Sequence, residues 1–224
     1  MKTDMPIIYE DDFLLAINKP ARLASVPGKE IPLHQTALGL AQAACAEQGF
    51  TPYLLHRLDM ETSGVLLFGK HERDRQALTA ILGNRQTKKT YMALVRGAPH
   101  GKVISTKLRA RSTGELISAE TTYRVLQIFH APHPLCALVE ANISTGRKHQ
   151  IRQHFAKISH PVIMDSRYGD FHFNRKFRIH YRIGRQFLHA AEISFMHPLL
   201  QKQIKIQAPL PRDLQSVLKR LSSR

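Results

Sequence analysis

Short apolar runs separated by brief polar segments recur along the 224-residue chain, and they constrain its fold more than any other feature. Several alternate with period two, which is typical of strands. We predict strands at residues 7–10, 13–18, 53–58, 65–68, 89–95, 103–108, 121–129, 135–143, 187–195 and 203–207, and helices at 36–47, 72–82, from Gly146 onward and at 210–221. Because strands outnumber helices and short turns join neighbours, we expect an α+β fold with a mixed, mostly antiparallel sheet and flanking helices.

Composition excludes several classes of protein. Hydrophobic residues make up 43% of the chain, as in globular domains, and no apolar run approaches the roughly 20 residues of a membrane helix. The first ten residues lack a signal-peptide core, and two cysteines exclude a disulfide framework and a four-cysteine zinc site. We therefore expect a cytoplasmic protein without membrane association. No repeat or linker divides the chain, which favours one domain over residues 1–224.

Charge is distributed unevenly along the sequence. The formal net charge is +16, with −3 over residues 1–74 and +19 over residues 75–224. Residues 75–114 and 171–191 contain no acid, and the second stretch carries Arg175, Lys176, Arg178, Arg182 and Arg185. A surface field of one sign suits a polyanion, so we expect RNA or DNA as the partner. The alternative is a basic protein that its charge keeps soluble.

The first candidate site is the polar segment His56–Gly64, between two apolar runs. Asp59 can serve as a carboxylate nucleophile or base. Arg57 lies two residues away, so in an extended segment both side chains point to one side, and a guanidinium there favours the ionised carboxylate. Thr62, Ser63 and Gly64 fit a tight turn into the next strand. For an arginine and an aspartate at this spacing alone, an ordinary polar loop with a local ion pair is the better explanation.

The second candidate is the basic segment 144–154. On a helix opening at Gly146, Lys148 and Arg152 are four residues apart and share a face. Cations at a helix start oppose the macrodipole, so Arg147 and Lys148 there indicate a bound anion such as phosphate. A solvated basic face is the alternative.

The third candidate is Tyr91, which shares a strand face with Ala93 and Val95. The tyrosine could stack on a nucleobase or simply belong to the core.

Thirteen histidines are present without the spacing or carboxylates of a metal site, and phosphate-loop and hydrolase-elbow motifs are missing, so we predict no metal and no cofactor.

Together these segments resemble the RluA-type pseudouridine synthase family over about residues 7–214. The strongest likeness is the segment His56-Arg57-Leu58-Asp59-Met60-Glu61-Thr62-Ser63-Gly64. Further matching motifs are Asn18-Lys19-Pro20, Lys89-Thr90-Tyr91, residues 145–152, 165–169, and 188–191. The resemblance implies the pseudouridine synthase fold with a central cleft. The tail at 168–175 is most similar to the large-subunit ribosomal RNA branch, whose small N-terminal RNA-binding module we do not expect here.

The resemblance also implies residue roles. Asp59 would be the catalytic carboxylate, Tyr91 would stack on the flipped uracil, and Arg152 would pair with Asp59. Arg57 would enter the RNA stack as the uridine leaves it. The RNA-binding residues expected from the matching motifs are His56, Arg57, Arg147, Lys148, His149 and Gln150.

The function that follows is an RNA isomerase converting uridine to pseudouridine. Ribosomal RNA is the favoured substrate and transfer RNA the alternative. A non-catalytic RNA-binding or ribosome-assembly module and a metal-dependent nuclease are the rivals. We expect a monomer without an obligate protein partner.

Overall fold

The computed structural model describes residues 6–84, 86–109, 114–130 and 135–223. The strands are β1 (Ile7–Glu10), β2 (Leu14–Lys19), β3 (Tyr53–Leu54), β4 (Ser63–Gly69), β5 (Lys88–Arg96), β6 (Val103–Arg109), β7 (Leu116–Phe129), β8 (Cys136–Ile143), β9 (Leu188–Met196) and β10 (Gln203–Gln207). The α-helices are α1 (Ala37–Cys45), α2 (Arg75–Gly83), α3 (Gln150–Lys157), α4 (Phe171–Tyr181) and α5 (Arg212–Ser222). Pairings β1–β2, β2–β4, β3–β4, β9–β10, β6–β7 and β7–β8 are antiparallel. These elements confirm the predicted α+β class.

The chain divides into two compact units. The first consists of residues up to Lys89 together with Ala190–Pro209, and the second of Thr90–His189 together with residues from Leu210 onward. The prediction of one catalytic domain over residues 1–224 is not tested by this division and stays a prediction, as does the expected central cleft.

The first unit is a sheet with strand order β1-β2-β4-β9, with β3 on β4 and β10 on β9. Its core contains Leu14, Leu67 and Phe195 from the strands and Leu78 from α2, all fully buried. Thr36 caps α1 because its Oγ1 accepts from the Gly39 N–H at 3.1 Å. The core thus fixes β4, whose preceding segment carries Asp59.

The second unit orders its strands β5-β8-β7-β6. Along β5, Ala93 and Val95 enter one apolar cluster, with Tyr91 packed against it, and Leu94 enters another. The predicted alternation of β5 is therefore confirmed. The cluster beneath Tyr91 also contains Ile151 and Phe155 of α3, so both elements rest on the same core.

Three predicted elements are wrong in extent. The strand predicted at 121–129 begins at Leu116. The 53–58 strand ends at Leu54, although the Leu55 N–H still donates to the Leu67 carbonyl at 3.0 Å. The third predicted helix begins at Gln150 instead of Gly146, and His149 before it is left-handed, with φ 53°. Helix α4 was not predicted at all.

Candidate active site

Asp59 lies in the irregular segment between β3 and β4, half-buried, while Arg57 beside it is exposed. The Thr62 N–H donates to the Asp59 carbonyl at 3.0 Å and closes a turn over residues 59–62, whereas Ser63 and Gly64, predicted to belong to the turn, already lie in β4. Gly64 follows with φ +115°, and a Cβ there would lie 2.1 Å from the Ala190 carbonyl oxygen. Only glycine fits this approach, so the turn directs the chain into β4 at a fixed position.

A buried lysine supports this segment from below. Lys19 is fully buried, and its Nζ donates to the carbonyls of Pro20 (2.8 Å), Leu23 (2.7 Å) and Met60 (3.3 Å). The Arg22 N–H also donates to the Met60 carbonyl at 2.7 Å. Since Met60 adjoins Asp59, these bonds hold the backbone next to the carboxylate.

Beyond Leu54, where β3 ends, Ser25 supplies backbone hydrogen bonds that a neighbouring strand would otherwise form. Its Oγ donates to the Leu58 carbonyl at 2.8 Å and accepts from the Leu58 N–H at 3.0 Å. Neither Ser25 nor Lys19 had a role predicted from the sequence. The signal for Lys19 was present in Asn18-Lys19-Pro20, whereas a serine 33 residues from its partner leaves no pattern to detect.

His56 is also anchored to the sheet. Burial and the nearby Lys89 ammonium lower the pKa of His56 to about 3, so the imidazole is neutral at pH 7. Its Nε2 accepts from the Leu67 N–H at 3.1 Å. Because Nε2 already accepts a hydrogen bond within the protein, the RNA contact predicted for His56 would have to use the other atoms of the side chain.

In the second unit, Arg152 on α3 forms a buried ion pair with Asp165. Nε and Nη2 donate to the two carboxylate oxygens at 2.7 and 2.9 Å. The N–H groups of Arg167 and Tyr168 donate to Asp165 as well. Burial alone would raise the pKa of Asp165, but the bonds from Arg152 and these amides outweigh it and hold the pKa below its usual value.

Asp165 is thus a site residue that sequence reasoning placed in a matching motif without giving it a role. The Arg152 guanidinium also lies 5.3 Å from the ring centroid of Tyr168. The predicted pairing of Arg152 with Asp59 would join the two units, and it stays a prediction.

The segment 144–149 is a bent loop, not the first turn of a helix. Lys148 precedes α3, so the argument that Lys148 and Arg152 share a helical face is wrong. Gln150 shapes the loop: its Oε1 accepts from Thr145 Oγ1 at 2.8 Å and from the Arg147 N–H at 3.1 Å. Its Nε2 donates to the Glu120 carbonyl at 2.8 Å. Gln150 is only 3% exposed, so the structure gives it an internal role, and its predicted RNA contact stays a prediction.

The other three loop residues remain available for the predicted role. Lys148 is exposed and Arg147 half-buried. The Nε of Arg147 is buried and has no hydrogen-bond partner among the residues that the structure describes. His149 Nδ1 lies 3.1 Å from the Tyr168 hydroxyl, which joins the loop to the segment that carries Asp165. An anion reaching Arg147 would supply the bond that its Nε lacks.

The structure therefore assembles the predicted residues as two groups. Arg57 and Asp59 share one supported turn in the first unit. Tyr91, Arg152 and the loop at 144–149 belong to the second unit, where β5 and α3 pack on one core.

Comparison with known proteins identifies the family. A family model described as RNA pseudouridylate synthase matches residues 13–157, a range that contains Asp59, Tyr91 and Arg152. The chain belongs to the RNA pseudouridylate synthase family. The predicted resemblance and the predicted enzyme class, an RNA uridine isomerase, are thereby confirmed.

Similar proteins agree with this assignment. The chain is 34% identical to tRNA pseudouridine synthase C of Vibrio cholerae, over 96% of this chain and 94% of that protein. It is 36% identical to ribosomal large subunit pseudouridine synthase C of the same organism, over 96% and 69%. The solved human RNA pseudouridylate synthase domain containing 4 shares the fold, with a TM-score of 0.76, 24% identity and coverage of 97% and 93%.

Two features are absent from the part of the chain that the structure describes, a membrane-spanning helix and a group of metal-binding side chains. None of the helices among them has the length and apolar character needed to cross a membrane. Within the same residues, no three His, Cys, Asp or Glu side chains gather in a group that could hold a metal ion.

Proposed function

We propose that this chain isomerises uridine to pseudouridine in RNA with Asp59 as the catalytic carboxylate. The observation that carries the proposal is the placement of Asp59: half-buried, on a turn held by the buried Lys19 ammonium, within the residues that match the family model. A pure RNA-binding module gains nothing from a carboxylate on a surface that must approach phosphates, since the like charges repel.

The reaction breaks the N1–C1′ glycosidic bond, turns the uracil, and joins C5 to C1′. Reactant and product contain the same atoms at the same oxidation level, so the residues need supply only charge, orientation and proton transfer. Three routes are open to Asp59: attack on C1′, attack on the base, or removal of a sugar proton. Each requires an ionised carboxylate close to the sugar and shielded from water.

The remaining roles follow from position. Tyr91 lies on β5, packed against a buried cluster, so a base stacked on its ring would meet a rigid surface. Arg152 is oriented by its two bonds to Asp165 and would pair with Asp59 when the site is assembled. Arg57, exposed beside Asp59, would fill the gap that the extruded uridine leaves. Together these contacts would offset the few kcal/mol that flipping a nucleotide costs.

Large-subunit ribosomal RNA is the substrate that we propose first, on the likeness of residues 168–175. Transfer RNA is the second candidate, because the relative named tRNA pseudouridine synthase C is matched over 94% of its length. Purified protein incubated with each RNA class separates the two, since only the true substrate gains pseudouridine at a defined position.

The test of the catalytic assignment compares Asp59→Asn with Lys148→Ala on one RNA. Asp59→Asn keeps the side-chain shape and removes the charge, so turnover should be abolished while RNA affinity stays near the parent value. Lys148→Ala removes an exposed cation, so binding should weaken and the slope of log K against log salt should fall by roughly 1.

Two results would reject the proposal. Parental turnover by Asp59→Asn would remove the carboxylate from the mechanism. RNA cleavage that a chelator stops would favour the rival nuclease, because a synthase of this kind should be indifferent to the chelator.

A further inference from the structure

Helix α4 carries most of the cations of the acid-free stretch 171–191. Arg175, Lys176, Arg178 and the following Arg182 are exposed, and none of them forms an ion pair with a residue that the structure describes. Arg185 differs, since it is 5% exposed and its Nε donates to Asp213 at 2.6 Å. Four cations of this stretch therefore face solvent uncompensated, and the fifth is structural.

Two large apolar side chains stand among these cations. Phe171 is 74% exposed and Ile179 68%, the highest values for large apolar side chains in the described part of the chain. Phe171, Arg175 and Ile179 are spaced by four residues, so they form one row along the outer side of α4. We call Phe171, Arg175, Lys176, Arg178, Ile179 and Arg182 the α4 face.

The opposite side of α4 is firmly packed. Phe173, Phe177 and Tyr181 are buried at the same four-residue spacing. Asp170 caps the helix by accepting from the Phe173 N–H at 2.9 Å and pairs with Arg96 at 2.7 Å. A ligand on the α4 face would therefore meet a preorganised surface.

Helix α4 is also bonded to the segment that orients Arg152. Asn174 Oδ1 accepts from the Met164 N–H at 2.8 Å, and Asn174 Nδ2 donates to the Asp165 carbonyl at 3.0 Å. Asp165 is the carboxylate that holds the Arg152 guanidinium. A nucleic acid on α4 would thus lie on the same bonded framework as the proposed active-site arginine.

We propose that the α4 face binds an unpaired segment of the substrate RNA, flanking the modified uridine. This deepens the proposed function and rests on it. Four uncompensated cations fit the phosphates, and the exposed Phe171 ring fits a base face, the combination that single-stranded RNA requires. A protein partner would need a contiguous apolar patch, whereas here cations separate the two apolar side chains.

The experiment uses a transcript in which the parent protein has been shown to form pseudouridine, with long flanks in one version and about nine nucleotides in another. The double variant Arg175→Gln/Arg178→Gln preserves helix propensity and removes two charges. For the long transcript, we expect the slope of log K against log salt to fall by about 1.4 to 1.8. On the nine-nucleotide RNA, turnover by the variant should equal that of the parent.

The matched control is Lys29→Gln/Lys202→Gln, which removes two exposed charges of the first unit that, like those on α4, form no ion pair with a described residue. It should keep the parental slope, since it changes the net charge equally without touching the α4 face. A second variant, Phe171→Leu, keeps an apolar side chain and removes the ring. It should weaken binding of the long transcript roughly 5- to 100-fold at unchanged salt slope.

The outcomes distinguish this proposal from the proposed function. If the parent forms no pseudouridine in any RNA, the proposed function fails. If the parent is active but the α4 double variant binds the long transcript with the parental slope, the α4 proposal alone is overturned. It is also overturned if the double variant loses affinity for phosphatidylserine vesicles and not for RNA. Thermal unfolding at the parental midpoint shows that the variants are folded.

Discussion

Two arginine–aspartate pairs in the second unit offer a test of how burial controls the strength of an ion pair. Arg152–Asp165 and Arg185–Asp213 both use Nε and Nη2 of the arginine against two carboxylate oxygens. The arginines are similarly buried, with side chains 8% and 4% exposed. The carboxylates differ, since Asp165 is 0% exposed and Asp213 51%. Geometry is thus nearly matched while solvent access is not.

The perturbation is aspartate to asparagine at each position. At Asp165 the amide would face both Arg152 and two backbone N–H groups with one remaining acceptor, and water cannot replace the lost oxygen. Breaking a buried pair costs about 3–5 kcal/mol when one charge is stranded, so we expect Asp165→Asn to lower the free energy of unfolding by about 3 kcal/mol. At Asp213 water already solvates the half-exposed carboxylate and weakens its attraction to Arg185, so a smaller loss of about 1 kcal/mol is expected.

The assay is urea unfolding at pH 7 followed by circular dichroism, together with pseudouridine formation. Asp165→Asn should also lower kcat, since Arg152 loses its orienting partner, while Asp213→Asn should keep parental kcat. Equal loss of stability in the two variants would refute the burial argument. Parental kcat in folded Asp165→Asn would refute the positioning of Arg152 by this carboxylate.

Two further predictions concern buried cations and histidines. Lys19→Met takes the lysine donor from the Pro20 and Leu23 carbonyls and one of two donors from the Met60 carbonyl, so it should lower stability by about 3 kcal/mol and also reduce turnover. Lys89→Met removes, among the described residues, the donor of the Leu82 carbonyl alone, so it should cost less and spare turnover; urea unfolding and single-turnover rates check both variants. Burial lowers the pKa of His154 to about 4, below its unfolded value, so the stability that the neutral imidazole contributes is complete above pH 6.5 and is lost as the pH falls toward 4. Between pH 7.5 and pH 4, the free energy of unfolding of the parent should fall by about 3 kcal/mol more than that of His154→Gln. Equal decreases in the two proteins would show that His154 is not responsible for the pH dependence.

Strand positions were readable from the sequence because apolar alternation and turn residues agree there. β1, β6, β8, β9 and β10 begin and end within one residue of the prediction. The predicted strand at 53–58 failed because Ser25, remote in sequence, satisfies the Leu58 backbone and releases it from the ladder. Helix α4 was not predicted, although Asp170 and the buried row Phe173, Phe177 and Tyr181 encode it, because the exposed Phe171 and Ile179 obscure the apolar spacing.

Within the site, the residues that could be proposed from sequence are those whose chemistry is visible locally. Arg57 and Asp59 lie two residues apart, and the turn into Gly64 follows directly. The supporting roles of Lys19 and Asp165 could not be predicted, although both lie in matching motifs, because the partners of a buried charge are brought together only by folding. Lys19 reaches a carbonyl 41 positions away, and Asp165 is 13 positions from Arg152.

The formal net charge therefore overestimates the number of cations that are available to bind RNA phosphates. Among the described residues, acids beyond Asp74 that pair with nearby cations include Glu140, Asp165, Asp170, Glu192 and Asp213. The cations that they neutralise contribute little to a long-range field. The positive surplus of this region then rests on cations that form no ion pair with a described residue, among them Lys148 and the four cations of the α4 face. A salt slope set by these positions should be far smaller than a formal charge of +19 suggests, since only cations that replace counterions at phosphates contribute to it.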